Sequence, residues 1–431
     1  MTAEVAILNR EAIALAADSA GTLRKESQDK IFTTVNKIFM LSKNHPIGVM
    51  VYGVGSFMGI PWETLIKMYR EEYGQHKFNS LNGYSNCFIN FLKNDLNDII
   101  TRKQEDRYFR QNVYSYLFLL SEYLKDKIKE KFQGDKFDLD EVRTFVNQCI
   151  DELSKLYENE ERITTVDNQF KSKLLSTYRK VIDNTKRENF SEELLQNKEI
   201  YNKLTEITIS YFMKLPRIHD GFSGIVIAGF GEKEIFPSVE SYLFDGMLFD
   251  KLLYREDTTH KRQINLETSA SIVPFAQDDM ILTFMTGINP QLGKSIKMDV
   301  KSVFEKCSKM LLSLDTIQKL DDSTKNKLKT EIQEKNDKIV NSYGKELEKY
   351  QQKHCINPVM EIVSNLPKPE LALMAETFIN LTSFKRKMSH DSETVAEPID
   401  VAVISKGDGF VWIKRKHYFD RDLNHQFFEN Y

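Results

Sequence analysis

The sequence predicts an α+β fold with antiparallel sheets, and three observations predict it. Short apolar runs bounded by glycine and turn residues occur near both ends of the chain and again in its middle, as antiparallel strands do. Two long stretches between them, 79–215 and 296–365, place apolar residues at helical spacing among charges. The chain has 431 residues, 41% of them hydrophobic, which exceeds one ordinary domain and predicts a core carrying additions.

Sixty Lys and Arg against 63 Asp and Glu leave a net charge of −3, which gives no electrostatic reason to bind nucleic acid or an anionic membrane. Cys87, Cys149, Cys307 and Cys355 are scattered, so neither a disulfide framework nor a zinc knuckle is expected. No window reaches the apolar length of a membrane span, and the N-terminus, with Glu4 and Arg10 early, does not read as a signal peptide. These features predict a cytoplasmic protein.

The first 22 residues (MTAEVAILNREAIALAADSAGT) organise the rest. Removal of Met1 makes Thr2 the N-terminus, and a free α-amino group beside a Thr hydroxyl can serve as that hydroxyl's general base. Apolar runs at 5–8 and 12–17 flank Asn9, Arg10 and Glu11 and predict a β-hairpin, which returns the carboxylate of Asp18 to Thr2. Residues 30–40 (KIFTTVNKIFM) carry enough β-branched and aromatic side chains for one strand, with Lys37 pointing toward the same place. Taken alone, a strand lysine is more often a solvated edge residue. Residues 47–59 (IGVMVYGVGSFMG) predict a strand broken by glycines, followed by a helix that opens at Pro61.

Thr2, the AADSAGT segment with Asp18, and the pair Lys37-Ile38 resemble the N-terminal third of a proteasome β subunit, a threonine peptidase of the N-terminal-nucleophile hydrolase superfamily. Residues 399–411 (IDVAVISKGDGFV) are similar to the late strand pair of archaeal members, with the same Asp-Gly turn. The resemblance covers less than half the chain and describes a bacterial-style variant with two large helical insertions. It implies a four-layer αββα sandwich, two antiparallel sheets face to face between helices. It also implies a lysine at position 37, held by Asp18, that stabilises the nucleophile's alkoxide, and an oxyanion donor at the Gly53 N–H. Aligning Pro274-Phe275 with a Pro-Phe pair of the family puts Ser271 beside the nucleophile's amine, and Asp391 and Thr394 reproduce the spacing of an assisting Asp and Ser. His390 is a further polar group of that loop. The implied chemistry is amide hydrolysis through an acyl-enzyme on Thr2, with no metal or other cofactor. Peptide or protein substrates, a homo-oligomeric assembly and an ATP-dependent unfoldase partner are implied as well. A small-molecule amidase and a catalytically silent scaffold subunit remain open alternatives.

The remaining elements follow in order. Residues 1–78 form the first part of the core, and 79–215 form five or six helices with an aromatic interior. Within 216–295, strands are expected at 224–231 and at 238–246, the latter running toward an Asp245-Gly246 turn, then a helix at 277–288. The segment 296–365 reads as a charged, protruding helical hairpin. Core resumes over 366–431, beginning with an amphipathic helix whose Leu371, Met374, Phe378 and Leu381 face inward.

Overall fold

The computed structural model describes residues 2–23, 30–132, 138–158, 163, 165–214, 221–389, 395–420 and 422–426. It contains two compact units, Met1–Ile38 with Gln263–Tyr431, and Phe39–Arg262. Helices and antiparallel sheets share the chain, an α+β composition.

The first unit is built on a five-stranded antiparallel sheet in the order Ala270–Ala276, Ala3–Asn9, Ala12–Ala17, Asp400–Ser405, Gly409–Lys414. Residues 3–9 and 12–17 are buried at every position, as fits inner strands whose two faces are both covered. Their turn is closed by Asn9, whose side chain accepts hydrogen bonds from the N–H groups of Glu11 and Ala12. Alternation along the hairpin separates two faces. Ala3, Val5, Ile7, Ala12, Ala14 and Ala16 pack in one apolar cluster with residues of the helices Asp279–Thr286, Asn357–Val363 and Lys368–Lys387. Small side chains on the second strand meet Ala372 and Ala375 of the last helix, which lets that helix lie close to the sheet. Leu371 and Phe378 point inward on it, but Leu381 is exposed; Ile379 and Thr382 take the inner positions instead. Glu4, Ala6 and Leu8 lie on the opposite face of the hairpin and are equally buried.

Helices Pro290–Leu312 and Asp322–Gln351 form the charged hairpin. Asn289 caps the first, with Pro290 at its opening position, and Asp321 caps the second. Asn336 ties them together by donating to Phe304 O and Ser308 Oγ. Val340 is the one buried side chain among the described residues of these two helices, so the hairpin is a surface element.

In the second unit a sheet runs in the order Lys251–Glu256, Ser238–Leu248, Ser223–Gly229, Ile47–Gly53, Ile38–Met40. Helices Trp62–Tyr73 and Leu81–Asn94 supply a cluster with Ile47, Val49, Ile225 and Ile227. A separate aromatic core joins Arg102–Phe132, Leu139–Glu158, Asn168–Asn189 and Lys198–Lys214, with Phe109 stacked between Tyr178 and Phe212.

Two expectations about strands are corrected. Residues 30–40 are not one strand: Lys30–Phe32 pairs with Gly21–Leu23, and Ile38–Met40 joins the second unit's sheet. Between them Val35 N–H donates to Ser19 O and the Val35 side chain packs where a Cβ on Gly21 would stand, which folds the segment onto the turn after Asp18. Asp245-Gly246 is likewise no turn. The strand runs through it with a β-bulge, and the chain reverses at Phe249 and Asp250, both at positive φ. Tyr108 explains the bulge, because its hydroxyl donates to Asp245 and its ring occupies the space above Gly246.

Gly53 ends its strand at φ +79°, and a Cβ there would stand 2.4 Å from Phe222 O. Gly53→Ala should therefore lower unfolding stability by at least about 1–2 kcal/mol, since an L side chain at positive φ costs that much before the clash is counted. Gly55 has open space around its missing Cβ, so Gly55→Ala is the control. Equal denaturant midpoints for the two variants would refute this account.

Candidate active site

Thr2, Asp18 and Lys37 meet at the open end of the N-terminal hairpin. Register fixes two of them: Glu4 pairs with Ala17, so Asp18 stands across from Ala3 and beside Thr2. Asp18 N–H donates to Ala3 O, and Ala3 N–H returns a bond of 2.9 Å to Asp18 Oδ1. Oδ2 accepts from the N–H groups of Ala20 at 2.9 Å and Ala396 at 3.3 Å. A fully buried carboxylate is thus satisfied by three backbone donors and one ammonium.

That ammonium is Lys37. Its Nζ lies 2.6 Å from Asp18 Oδ1 and 3.1 Å from Thr2 Oγ1, and its side chain is 5% exposed. Lys37 reaches Thr2 from the bend that precedes Ile38–Met40, held there by the Val35–Ser19 bond. A buried cation within hydrogen-bond distance of a hydroxyl, and anchored by a carboxylate on its far side, lowers the energy of negative charge on that hydroxyl oxygen. Ser19 Oγ donates to Pro398 O and Ser19 N–H to Ala396 O, so the turn after Asp18 is bound to the segment leading into Asp400–Ser405.

Ser271 is not part of this group. It pairs with Leu8, six residues along the strand from Thr2, or about 20 Å at the rise of a β-strand. The same register places Ala276 opposite Ala3, and Gln277 N–H donates to Thr2 O at 3.0 Å. Matching by Pro274-Phe275 therefore puts the expected contact three periods of side-chain alternation away, at the wrong end of the strand. Ala276 and Gln277 are the residues that flank Thr2. Ala276 is held at φ +61°, a conformation costly for a residue with a Cβ. Gln277 is buried, and its Oε1 accepts from Arg386 Nε at 2.7 Å. Asp391, Thr394 and His390 lie outside the described residues. Gly53 belongs to the second unit. There Val54 N–H donates to Phe222 O, and antiparallel alternation then turns the Gly53 N–H away from the Ser223–Gly229 strand.

Two further groups escaped the reading of the sequence. Glu4 is fully buried, and neither of its carboxyl oxygens has a hydrogen-bond partner. Burial pushes its carboxyl from an ordinary 4.5 up to about 8; the Lys37 ammonium opposes the rise and the Asp18 carboxylate adds to it. Asp400 shares Ala17 as cross-strand neighbour with Glu4 and is ion-paired to Lys416, whose amine burial holds below its ordinary range. A carboxylate beginning an apolar strand, as in EVAIL and DVAVI, is the only signal the sequence offers for either. No group of three or more His, Cys, Asp or Glu able to hold a metal ion occurs among the described residues. None of their helices is long and apolar enough to cross a membrane. No protein-family model matches the chain, and no curated protein matches it.

Proposed function

We propose that this chain is a proteasome-like N-terminal-nucleophile hydrolase of the threonine type, which cleaves amide bonds of peptides through an acyl-enzyme on Thr2 after Met1 is removed. The observation that carries the reading is the placement of Lys37 Nζ between Thr2 Oγ1, at 3.1 Å, and Asp18 Oδ1, at 2.6 Å. In this mechanism Thr2 Oγ attacks the substrate carbonyl carbon while its proton passes to the freed α-amine. Lys37 lowers the cost of the developing alkoxide, and Asp18 fixes the ammonium in place. Collapse of the tetrahedral intermediate leaves an ester on Thr2 and releases the amine product, which takes the proton. Water then hydrolyses the ester. For the oxyanion the resemblance offers the Gly53 N–H.

A four-layer αββα arrangement is part of the same reading. What supports it is that each unit supplies an antiparallel sheet with helices on one face. A homo-oligomeric assembly served by an ATP-dependent unfoldase follows from the resemblance.

The test is the mass of the N-terminal peptide, followed by treatment with an electrophile selective for N-terminal threonine and mapping of the adduct. The expected result is a chain beginning at Thr2 with the adduct on that residue. Intact Met1 on every molecule would reject the hydrolase in favour of a silent scaffold.

A further inference from the structure

Glu4 is a group that the mechanism does not use and that a folded chain does not tolerate without cause. It follows Thr2, which immediately precedes the strand Ala3–Asn9, by two residues, so the alternation puts both side chains on the same face of the sheet. It is wholly buried with both carboxyl oxygens unpartnered, although it lies in the field of Lys37 and Asp18. Asp400, in line with Glu4 across Ala17, is paired with Lys416. An ionised carboxylate without partners in such a place is far more costly than a neutral carboxylic acid.

We propose that Glu4 is a pH-sensitive control of the Thr2 site: as an uncharged acid it leaves Lys37 to Thr2, and its ionisation shuts the site at alkaline pH. This rests on the reading of Thr2 as the nucleophile. Lys37 Nζ divides its hydrogen bonds between one carboxylate, Asp18, and one hydroxyl, Thr2. A neutral Glu4 leaves that division undisturbed. A charged Glu4 adds a second anion facing the same ammonium, which competes with Thr2 for Lys37 and repels the alkoxide forming on Oγ. The shift of its carboxyl to about 8 puts the change just above neutrality.

The experiment measures the rate at which an uncharged threonine-selective electrophile labels the processed full-length chain between pH 6 and pH 10. Labelling of the parent should rise as the α-amine loses its proton and then fall above pH 8. At pH 9 the fall should reach about tenfold relative to Glu4→Gln, the ratio expected one unit above an ionisation. Glu4→Gln and Glu4→Met, both permanently uncharged, should lack the fall. Infrared spectra supply a readout that is independent of labelling: the parent should show a protonated-carboxyl band at pH 7 that disappears with a midpoint near 8 and is missing from Glu4→Gln. A merely structural Glu4 would change stability in the variants without moving the alkaline fall. If the parent is labelled at Thr2 but both variants keep the fall, or if the band is missing at pH 7, this proposal is overturned while the Thr2 reading stands. A parent that takes no label at any pH overturns the Thr2 reading and this proposal with it.

Discussion

Thr2→Ala is expected to abolish labelling by threonine-selective electrophiles and to lower amide hydrolysis by at least about a thousandfold, the scale of loss when a nucleophile is removed from a concerted site. The fold should persist. Thr2 is small, and the hydrogen bond at its hydroxyl comes from Lys37, which keeps its bond to Asp18 in the variant. Asp18 in turn keeps the N–H groups of Ala3, Ala20 and Ala396. The variant should therefore unfold at nearly the parental denaturant concentration. Thr2→Ser, which retains a hydroxyl on Cβ, should still be labelled. Undiminished labelling of the alanine variant would place the nucleophile elsewhere in the chain and remove the basis of the proposed function.

Lys37→Ala is expected to cost roughly a hundredfold or more in rate, the usual effect of deleting one preorganised electrostatic donor. Its effect is separable from that of Thr2→Ala because the hydroxyl and the amine both remain. Lys37→Arg should not restore the rate. A guanidinium is planar and wider than an ammonium, and the lysine side chain is 5% exposed, so no space exists for the larger head to present one donor at 3.1 Å. Asp18→Asn should be impaired as well, for two reasons. It removes the countercharge 2.6 Å from Nζ, and its amide NH2 cannot accept where it replaces an oxygen, so either Ala3 at Oδ1 or Ala20 and Ala396 at Oδ2 lose their acceptor. An exposed ion pair would contribute little, so near-parental hydrolysis by Lys37→Ala would overturn the mechanism even if Thr2 reacted.

The hairpin was legible in the sequence because its pattern is local: two apolar runs and an Asn-led turn specify a pairing over residues 3–17 without help from the rest of the chain. The position of Asp18 followed from that pairing. The sequence places Lys37 in a strand because nothing local signals that Val35 binds Ser19 across 16 positions and bends the segment. Ser271 falls at the wrong end of its strand because the register between Ala3–Asn9 and Ala270–Ala276 is set by contacts over some 270 residues, and a Pro-Phe match says nothing of which pair lies beside Thr2. Glu4 carried no warning, since a glutamate near a chain's beginning is usually solvated, and only the finished structure shows it enclosed.

The sheet of the first unit has a bearing on how the protein is made. Ala3–Asn9 and Ala12–Ala17 are inner strands, bordered by Ala270–Ala276 on one side and Asp400–Ser405 on the other. The hairpin's two outer neighbours are thus translated long after it, and Ala396, which donates to Asp18, follows Asp18 by some 380 positions. Pairings of such sequence separation are slow to close and give no reward until both ends exist. During synthesis the growing chain therefore carries Thr2, Asp18 and Lys37 together long before the Ala396 N–H that completes the carboxylate's set of donors.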